Sequence, residues 1–325
     1  MDAITRILIT GGRGFIGGRT ALYLREKYPE AGITITTTNK DGGLPAWCAD
    51  FNTVDMSLSD TASIERCVDG ADTIVHLAAL NEIDSMQDPI SAMRINTEGT
   101  YRLLSAARDQ GVRNFIYFST IHVYGENLSG PLITEETPVR PYHPYAITHA
   151  AAEGFVDQFR RYHLMNTAVF RLSNAYGAPA DRGVNRWSLV FNDLCRQAAA
   201  TGTLTLKSSG RQYRDFISIH DVARAVGHFI FELTDGYGDG LYNLGGECPM
   251  TILEAAGRVA RVYKETYGRE IRKITVGDDA PGEMFLKPTN YSIEKIKKTG
   301  FAPEGGIDEE IRRCLFLCEG FVKSP

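Results

Sequence analysis

The feature that most constrains the fold is a glycine-rich turn near the start of the chain. A continuous apolar run, Arg6–Thr10, ends at the sequence Gly-Gly-Arg-Gly-Phe-Ile-Gly, and apolar residues then follow helical spacing over residues 15–28. Gly11, Gly14 and Gly17 leave the backbone open where a helix N-terminus offers N–H donors and the positive end of its dipole. This arrangement predicts a site for a dinucleotide pyrophosphate, and Gly17 permits close packing of helix on sheet.

Alternating strands and helices continue through the first half of the chain. The further strand-like segments, separated mostly by helical stretches, are 33–37, 73–77, 115–119 and 167–172. Such alternation predicts parallel strand–helix–strand crossovers, and therefore an α/β fold with a doubly wound parallel sheet covered on both faces.

The regular alternation of strand-like and helical segments ends after Gly177, which predicts a smaller lobe. Pro179 and Gly183 precede a helical stretch at about 187–200 and a strand-like segment at 203–207, and no linker separates the two parts. We expect interleaved domains. The dinucleotide-binding domain consists of residues 1–175 and 212–246. The substrate-binding lobe consists of residues 176–211 and 247–325.

Composition narrows the range of partners. The 325 residues carry a net charge of -5 with a pI near 5.9, which gives no electrostatic reason to expect nucleic acid or an anionic membrane. The six cysteines form no CxxC pair, so neither a disulfide framework nor a metal site is predicted. The apolar run at the N-terminus is too short for a signal sequence or a membrane span, and we expect a cytoplasmic protein.

Several motifs occur in an order that is typical of one family. The segments are Asp55-Met56, His76-Leu77-Ala78-Ala79, Asn96-Thr97-Glu98-Gly99-Thr100, Ser119-Thr120 with Val123-Tyr124-Gly125, Tyr145, Arg171 with Asn174 and Tyr176-Gly177, and Arg214-Asp215-Phe216. With the glycine turn, they resemble the extended short-chain dehydrogenases/reductases of the NAD-dependent epimerase/dehydratase type, over nearly the whole chain. The resemblance implies a Rossmann fold.

The resemblance also implies which residues hold the cofactor. Asp55 and Met56 are expected to border the adenine, and the turn and the end of the fourth strand to line the rest. The residues of these two regions are Gly11, Gly14, Phe15, Ile16, Gly17, Leu77, Ala78 and Ala79. Asn96 has a structural role in this family at least as often as a catalytic one.

The end of the second strand bears on the choice of dinucleotide. NAD-dependent relatives place an acidic residue there, on the ribose hydroxyls, whereas this chain has Asn39 followed by Lys40. No carboxylate repels a 2′-phosphate and a cation is available to pair with one, which favours NADP over NAD. The alternative is a solvated lysine beside the turn at Asp41-Gly42.

This chain departs at one position from the catalytic pattern of the family. Relatives use a Tyr-x-x-x-Lys pair on one helix face and a Ser or Thr from the fifth strand. Tyr145 and Thr120 fit, but His149 stands where the lysine is expected. Histidine can bond the ribose of the cofactor, yet it is mostly neutral at neutral pH and contributes little charge to lower the tyrosine pKa. Either the cofactor's charge activates Tyr145, or the chemistry is slow, or Tyr145 is not the base. A further alternative is a binding protein without activity.

A second departure concerns the reaction. The 4,6-dehydratases of the family carry Asp-Glu after the catalytic Thr, whereas this chain has Ile121-His122. Dehydration is therefore not expected. His122 is either another acid or base near the pocket or a hydrogen-bonded structural histidine.

On the substrate side, the resemblance implies that Asn174 and Arg214 meet the diphosphate of a nucleotide. Arginine supplies a charged donor fork for such a group, although a structural ion pair is the alternative for Arg214. Glu283 lies in a segment that resembles the Arg-x-Gly-Asp stretch of relatives, with Ala280 in place of its arginine. One phosphate contact is therefore missing.

These observations favour an NAD(P)-dependent epimerase acting on a nucleotide sugar through transient hydride transfer. The alternatives are a one-way reductase or dehydrogenase of a sugar or other carbonyl substrate, and a sensor or scaffold that binds the dinucleotide without turnover.

We also expect a homodimer, because relatives pair the helices near 96–109 and 145–163. The candidate surface residues are Ala146, Ala150, Ala151, Phe155 and Phe159, which face the sheet in the alternative interpretation.

Overall fold

The computed structural model describes residues 5–38, 43–129, 132–278 and 290–322. Its strands are β1 (Arg6–Thr10), β2 (Gly32–Thr37), β3 (Asn52–Asp55), β4 (Thr73–His76), β5 (Asn114–Thr120), β6 (Asn166–Leu172), β7 (Asn174–Tyr176), β8 (Leu204–Thr205), β9 (Tyr213–Ser218), β10 (Leu241–Leu244), β11 (Pro249–Thr251) and β12 (Ile274–Thr275).

The α-helices are α1 (Phe15–Lys27), α2 (Thr61–Val68), α3 (Glu82–Gln87), α4 (Pro89–Ala92), α5 (Gly99–Asp109), α6 (Pro144–Arg161), α7 (Val190–Thr201), α8 (Ile219–Gly227), α9 (Ile252–Tyr267), α10 (Glu294–Lys297) and α11 (Ile307–Val322). Short 3₁₀ segments cover Ala46–Asp50 and Ile121–Ser129, the second interrupted at Gly125, whose φ is +55°. Turns of π-helix cover Met93–Glu98 and His228–Glu232.

The main sheet confirms the predicted doubly wound fold. Seven parallel strands lie in the order β10-β6-β5-β4-β1-β2-β3, so that β1 and β4 are neighbours at the centre. Side chains alternate between the two faces: Ile7 and Ile9 pack in a core beneath α1 and α8, and Leu8 packs in a second core with α2, α5 and α6. Burial on both faces explains why the strands read as continuous apolar runs.

A smaller assembly follows the main sheet along the chain. Strands β11, β9 and β7 form a three-stranded sheet, β8 pairs with β12, and a separate apolar core gathers side chains from α7, α9 and α11. Helix α7 begins at Val190 rather than near 187, because Trp187 is buried in this core from the loop before the helix.

Residues 212–246 contribute to both assemblies. Strand β9 lies in the three-stranded sheet, whereas α8 packs against α1 and β10 extends the main sheet beside β6. The division of the chain into two lobes at 175, 212 and 246 stays an interpretation of this interleaving.

All six cysteine thiols are unpaired. In the described part of the chain, no helix combines the length and apolar character that crossing a bilayer requires.

Candidate active site

The glycine turn is built so tightly that side chains cannot enter it. Gly11 adopts a φ of +64°, a conformation that favours glycine, and its carbonyl oxygen accepts a hydrogen bond from the N–H of Gly14 at 2.8 Å. A Cβ atom on Gly17 would lie 2.3 Å from that same carbonyl oxygen, and one on Gly14 would lie 2.9 Å from it. The three glycines therefore bring the start of α1 against the end of β1, as the sequence predicts.

The N-terminus of α1 has the character of an anion site. Gly14 is the N-cap, and among the described residues no side chain caps the helix and no acidic residue lies in its first turn. The main-chain N–H groups at the start of α1, where Phe15 and Ile16 lie, are thus left for an external acceptor. This cradle fits the pyrophosphate of a dinucleotide.

A buried histidine fixes the loop after β4 beside the turn. The Thr10 hydroxyl accepts hydrogen bonds from the N–H groups of Leu77 and Ala78, each at 3.1 Å, and lies 2.7 Å from His76 Nδ1. His76 Nε2 in turn lies 2.9 Å from the Thr100 hydroxyl. Burial lowers the pKa of His76 to about 3, so the ring is neutral and links β1, β4 and α5. Leu77 and Ala78 are thereby placed next to Gly11, with Ala79 following.

Arg13, which the sequence did not single out, lies at the end of β2. Arg13 Nη1 donates a hydrogen bond to the Thr37 hydroxyl at 3.3 Å, which brings a guanidinium to the end of β2. Asp55 is exposed at the end of β3, whereas Met56 is buried in the core with Leu8. The predicted residues Asn39 and Lys40 lie outside the described residues.

Tyr145 and Thr120 meet at the start of α6. Pro144 occupies the first turn of this helix, and the Nδ1 atom of His143 accepts the N–H of Tyr145 at 3.2 Å as the N-cap. The hydroxyl of Thr120 accepts the N–H of His122 at 3.2 Å. Burial raises the pKa of Tyr145, whereas the charge of Arg186 and the nearby Thr120 hydroxyl act to lower it.

His149 lies one turn further along the same helix. Its ring is 4.2 Å from that of Tyr145 between centroids, and its Nδ1 atom lies 2.8 Å from the Tyr145 carbonyl oxygen. Burial lowers the pKa of His149 to about 4, although the bond to the carbonyl acts in the opposite direction. The histidine is therefore neutral at neutral pH.

A buried ion pair attaches α6 to the sheet below these residues. Glu153 accepts hydrogen bonds from Arg171 Nη2 at 2.8 Å and from the Ser119 hydroxyl at 2.5 Å. Arg171 also donates to the Tyr124 hydroxyl at 2.9 Å, and Tyr291 donates to the Arg171 carbonyl. Because Ser119 precedes Thr120 and Glu153 follows His149 by one turn, this network fixes β5, which carries Thr120, against α6, which carries His149.

A cavity of about 170 Å³ opens beside Tyr145. The residues that line it come from α3, the 3₁₀ segment after β5, the start of α6, β7 and β9, and they are Glu82, Ile121, His122, Gly125, Leu128, Tyr142, His143, Tyr145, Asn174, Tyr213, Arg214 and Asp215. The structure therefore brings Asn174 and Arg214 to the same cavity as Tyr145. Glu283 lies outside the described residues.

Two residues that line the cavity, Glu82 and His143, could not be identified from the sequence. Glu82 begins α3, and its Oε1 atom lies 3.7 Å from Nε2 of His143. Burial lowers the pKa of His122, and Glu82 acts against this shift whereas Arg214 and His143 reinforce it. These interactions join segments that are far apart along the chain, and only the fold brings them together.

Comparisons with known proteins identify the family of the chain. The model of the NAD dependent epimerase/dehydratase family matches residues 7–245. The chain is 28% identical to the dTDP-D-glucose 4,6-dehydratase of Mus musculus and 30% identical to the dTDP-glucose 4,6-dehydratase of Salmonella typhimurium. These matches cover 95% of this chain and 87% and 91% of the relatives.

Among solved structures, a UDP-glucose 4-epimerase of Thermus thermophilus in complex with NAD is similar. Its TM-score is 0.78 at 25% identity, with 97% of this chain and 99% of that chain covered. With the family model spanning most of the sequence, and with the glycine turn, the Tyr145–Thr120 pair and the seven-stranded sheet in place, the chain belongs to the NAD dependent epimerase/dehydratase family.

Proposed function

We propose that this chain is an NAD(P)-dependent enzyme that oxidises a hydroxyl of a nucleotide sugar transiently and then reduces the ketone, as an epimerase does. The observation that carries the proposal is the closeness of Thr120 to Tyr145, which lines the cavity: the Thr120 hydroxyl acts to lower the pKa of Tyr145. Relatives named as sugar-nucleotide dehydratases and a similar structure named as a UDP-glucose 4-epimerase support the same substrate class.

The cofactor residues divide into those that bind phosphate and those that bind ribose. Gly11, Gly14 and Gly17 shape the cradle at the start of α1, and Leu77 to Ala79 form the wall after β4. Nε2 of His149 would be the ring nitrogen available to the nicotinamide ribose, because Nδ1 already bonds a carbonyl. A bound nicotinamide would supply reversible hydride transfer.

Proton transfer falls to Tyr145. The Thr120 hydroxyl favours the phenolate of Tyr145, because it acts to lower the pKa of that residue. Tyr145 takes the proton of the substrate hydroxyl during oxidation and gives it back during reduction. Asn174 and Arg214 hold the sugar-bearing phosphate at the far side of the cavity.

Elimination of water is not part of the proposal, although the curated relatives above are dehydratases. The residue that follows Thr120 is Ile121, which is buried in the apolar core and supplies no acid. This chain therefore lacks the acid that the dehydratases of the family carry directly after the catalytic Thr.

For the cofactor we propose NADP. Arg13 bonds Thr37 at the end of β2, where the adenosine ribose binds in this fold, and Lys40 and Asn39 follow in the sequence without a carboxylate. The guanidinium and the ammonium are cations, and cations bind the 2′-phosphate of NADP better than the two ribose hydroxyls of NAD.

The experiment is turnover of a panel of nucleotide sugars by the purified protein with NAD or NADP. We expect an isomeric product, detected by chromatography and mass, without net consumption of the nicotinamide measured by absorbance. Stoichiometric consumption points to the one-way reductase or dehydrogenase. Tight cofactor binding with no spectral change under any sugar or carbonyl points to the sensor or scaffold and contradicts the proposal.

We also propose a homodimer through α3, α4 and α6. Ala146 and Phe159 are buried within their own chain, so for these two the sheet-facing interpretation holds, whereas Ala151 is exposed. Five large apolar side chains on this side of the molecule are about half exposed, and they are Ile83, Met86, Ile90, Met93 and Ile147. Such a surface is typical of an interface. Light scattering that gives a 35.9 kDa species at micromolar concentration contradicts the dimer.

A cytoplasmic location is part of the same proposal. All six thiols are unpaired, and four of them are buried. Reduced cysteines are typical of a reducing compartment. Disulfide bonds in the protein as isolated from its native source would contradict this location.

A further inference from the structure

We infer that the sugar bound in this cavity carries a free amine on its ring, and that the carboxylate of Glu82 selects this amine as an ammonium group. The inference deepens the proposed function and rests on it, because it concerns the sugar of a nucleotide sugar bound beside Tyr145. Glu82 thereby determines which sugar is accepted and takes no part in hydride or proton transfer.

The fold leaves the Glu82 carboxylate unused. Glu82 is the first residue of α3, but the cap of this helix is Asn81, whose side chain accepts the N–H groups of Ile83 at 2.9 Å and Asp84 at 3.1 Å. In the described ranges no lysine or arginine pairs with Glu82, and its side chain is 62% exposed where it lines the cavity. A ligand that enters the cavity can therefore reach this carboxylate.

The basic group beside this carboxylate is His143, and it does not neutralise the charge. Nδ1 of His143 accepts the N–H of Tyr145 at 3.2 Å, so the ring carries its proton on Nε2 alone. Nε2 lies 3.7 Å from Oε1 of Glu82, which is longer than a hydrogen bond. Glu82 thus keeps its negative charge and its hydrogen-bonding capacity for a ligand.

The cavity wall contains a second carboxylate, Asp215, which is already engaged. Its two oxygens accept the N–H of Gly246 at 3.1 Å and the N–H of Cys248 at 2.9 Å. Burial raises the pKa of Asp215, although these hydrogen bonds act in the opposite direction. Glu82, rather than Asp215, is therefore the carboxylate that meets the sugar.

Charges of opposite sign reach this cavity from different parts of the fold. Glu82 belongs to α3, which packs against α6 next to Tyr145. Asn174 and Arg214 belong to β7 and β9, which pair in the three-stranded sheet. The arginine suits an anionic diphosphate, and the glutamate suits a cationic sugar. A ligand with a diphosphate at one end and an ammonium group at the other matches this distribution, whereas a carboxylate on the sugar would be repelled by Glu82.

Aromatic side chains of the same cavity reinforce this preference. Tyr142, Tyr145 and Tyr213 all line it, and the Tyr142 side chain is exposed. The face of an aromatic ring attracts an ammonium group through its quadrupole. A hydroxyl at the same place gains little from this effect, so the rings and the carboxylate together favour an amine over a hydroxyl.

The test is calorimetric titration of the full chain with its oxidised nicotinamide cofactor bound. UDP, dTDP and GDP are titrated first, and the nucleotide that binds most tightly is then used with glucosamine, glucose or glucuronic acid attached. At pH 6, where the sugar amine is protonated, we expect the glucosamine derivative to bind roughly 5- to 30-fold more tightly than the glucose derivative. This range corresponds to a partly exposed ion pair with a cation–π contact. The glucuronic acid derivative is expected to bind most weakly.

Two variants separate the charge of Glu82 from its size. Glu82→Gln keeps the size, and it is expected to reduce the preference for glucosamine over glucose by roughly 3- to 10-fold. Glu82→Lys is expected to reverse the order, so that the glucuronic acid derivative binds more tightly than the glucosamine derivative. Both variants should bind the nicotinamide cofactor as the wild type does, which shows that they are folded.

The matched control is Glu65→Gln. Glu65 is an exposed carboxylate on α2 and does not line the cavity, so this variant should keep the wild-type preference. Equal affinity of the wild type for the glucosamine and glucose derivatives contradicts the role of Glu82, as does a preference that Glu82→Gln does not reduce. Both results leave the proposed function standing, because a nucleotide sugar binds. Failure of the glucosamine derivative alone to bind also contradicts the inference. Failure of every nucleoside diphosphate and every derivative to bind contradicts the proposed function, and the inference with it.

Discussion

Nδ1 of His149 lies 2.8 Å from the carbonyl oxygen of Tyr145, one turn earlier on α6. A carbonyl only accepts hydrogen bonds, so Nδ1 carries the proton. Burial holds the pKa of His149 at about 4, and Nε2 is therefore unprotonated at neutral pH. Where the family pattern has a cationic donor, this chain presents a neutral acceptor, and Tyr145 must act without a lysine charge.

The first prediction concerns Tyr145→Phe. Removing the hydroxyl is expected to lower kcat by roughly 10²–10⁴-fold, which is the usual contribution of general acid–base catalysis, with little change in cofactor affinity. Turnover assays and fluorescence titration of the cofactor measure the two quantities. Tyr162→Phe is the matched control, because Tyr162 caps the end of the same helix and is exposed. Retention of most activity by Tyr145→Phe would make another residue the acid or base.

The second prediction concerns the choice of dinucleotide. Arg13→Gln is expected to weaken NADP binding by about 10- to 100-fold, since a hydrogen bond to a charged group contributes roughly 1.5–3 kcal/mol. NAD binding should change far less, because NAD has no 2′-phosphate. Calorimetry with both oxidised cofactors measures this, with Arg66→Gln on the exposed face of α2 as control. Equal losses for NADP and NAD would show that Arg13 does not read the phosphate.

The third prediction concerns the ion pair beneath the site. Glu153→Gln leaves the buried guanidinium of Arg171 without its anion, and we expect a loss of roughly 3–5 kcal/mol in the free energy of unfolding. Asp157→Asn weakens two more exposed ion pairs, with Arg160 and Arg161, one turn further along α6, and its cost should stay within about 1 kcal/mol. Urea denaturation with unchanged m values compares the two. Similar losses in both variants would contradict a special role for the network.

The fourth prediction is a pH dependence of stability. The folded chain holds the pKa of His149 at about 4, against an ordinary value of 6.5. The unfolded chain therefore binds this proton at higher pH than the folded chain does. The contribution, roughly 3 kcal/mol, is fully present above about pH 6.5 and is lost as the pH falls toward 4.

Comparing urea denaturation at pH 7 and pH 5 tests this dependence. His149→Gln should lose less stability over this interval than the wild type, and His163→Asn should lose as much. His76 is buried in the same way, so part of the pH dependence is expected to remain in His149→Gln. An identical loss in the wild type and His149→Gln would contradict a neutral buried His149.

The sequence could predict the features that local geometry dictates. The turn at Gly11, Gly14 and Gly17 is required by contacts within a few residues, and the spacing of Tyr145 and His149 places both on one turn of a helix. Strand β3 and the three-stranded sheet were not predicted, because segments of three to six residues gain their stability from distant partners. Their pairing is a property of the fold.

The contacts of the candidate site also depend on segments that are distant along the chain. Glu82 and His143 meet His122 only after α3, α6 and β5 have packed, and no spacing in the sequence announces this. Helix α6 is apolar on two sides, one toward the sheet and one outward, so periodicity alone did not separate Ala146 and Phe159 from the exposed Ile147.

The central claim is that Tyr145 performs acid–base catalysis beside a neutral His149. The measurement is the pH–rate profile of His149→Lys against the wild type, with the best sugar of the panel. A lysine charge about 4–5 Å from the phenolate contributes about 3–4 kcal/mol at an effective dielectric constant near 20. We predict that the Tyr145 limb of the profile moves downward by up to roughly 2–3 pH units, with cofactor binding preserved. A limb that stays at the wild-type position would contradict the account.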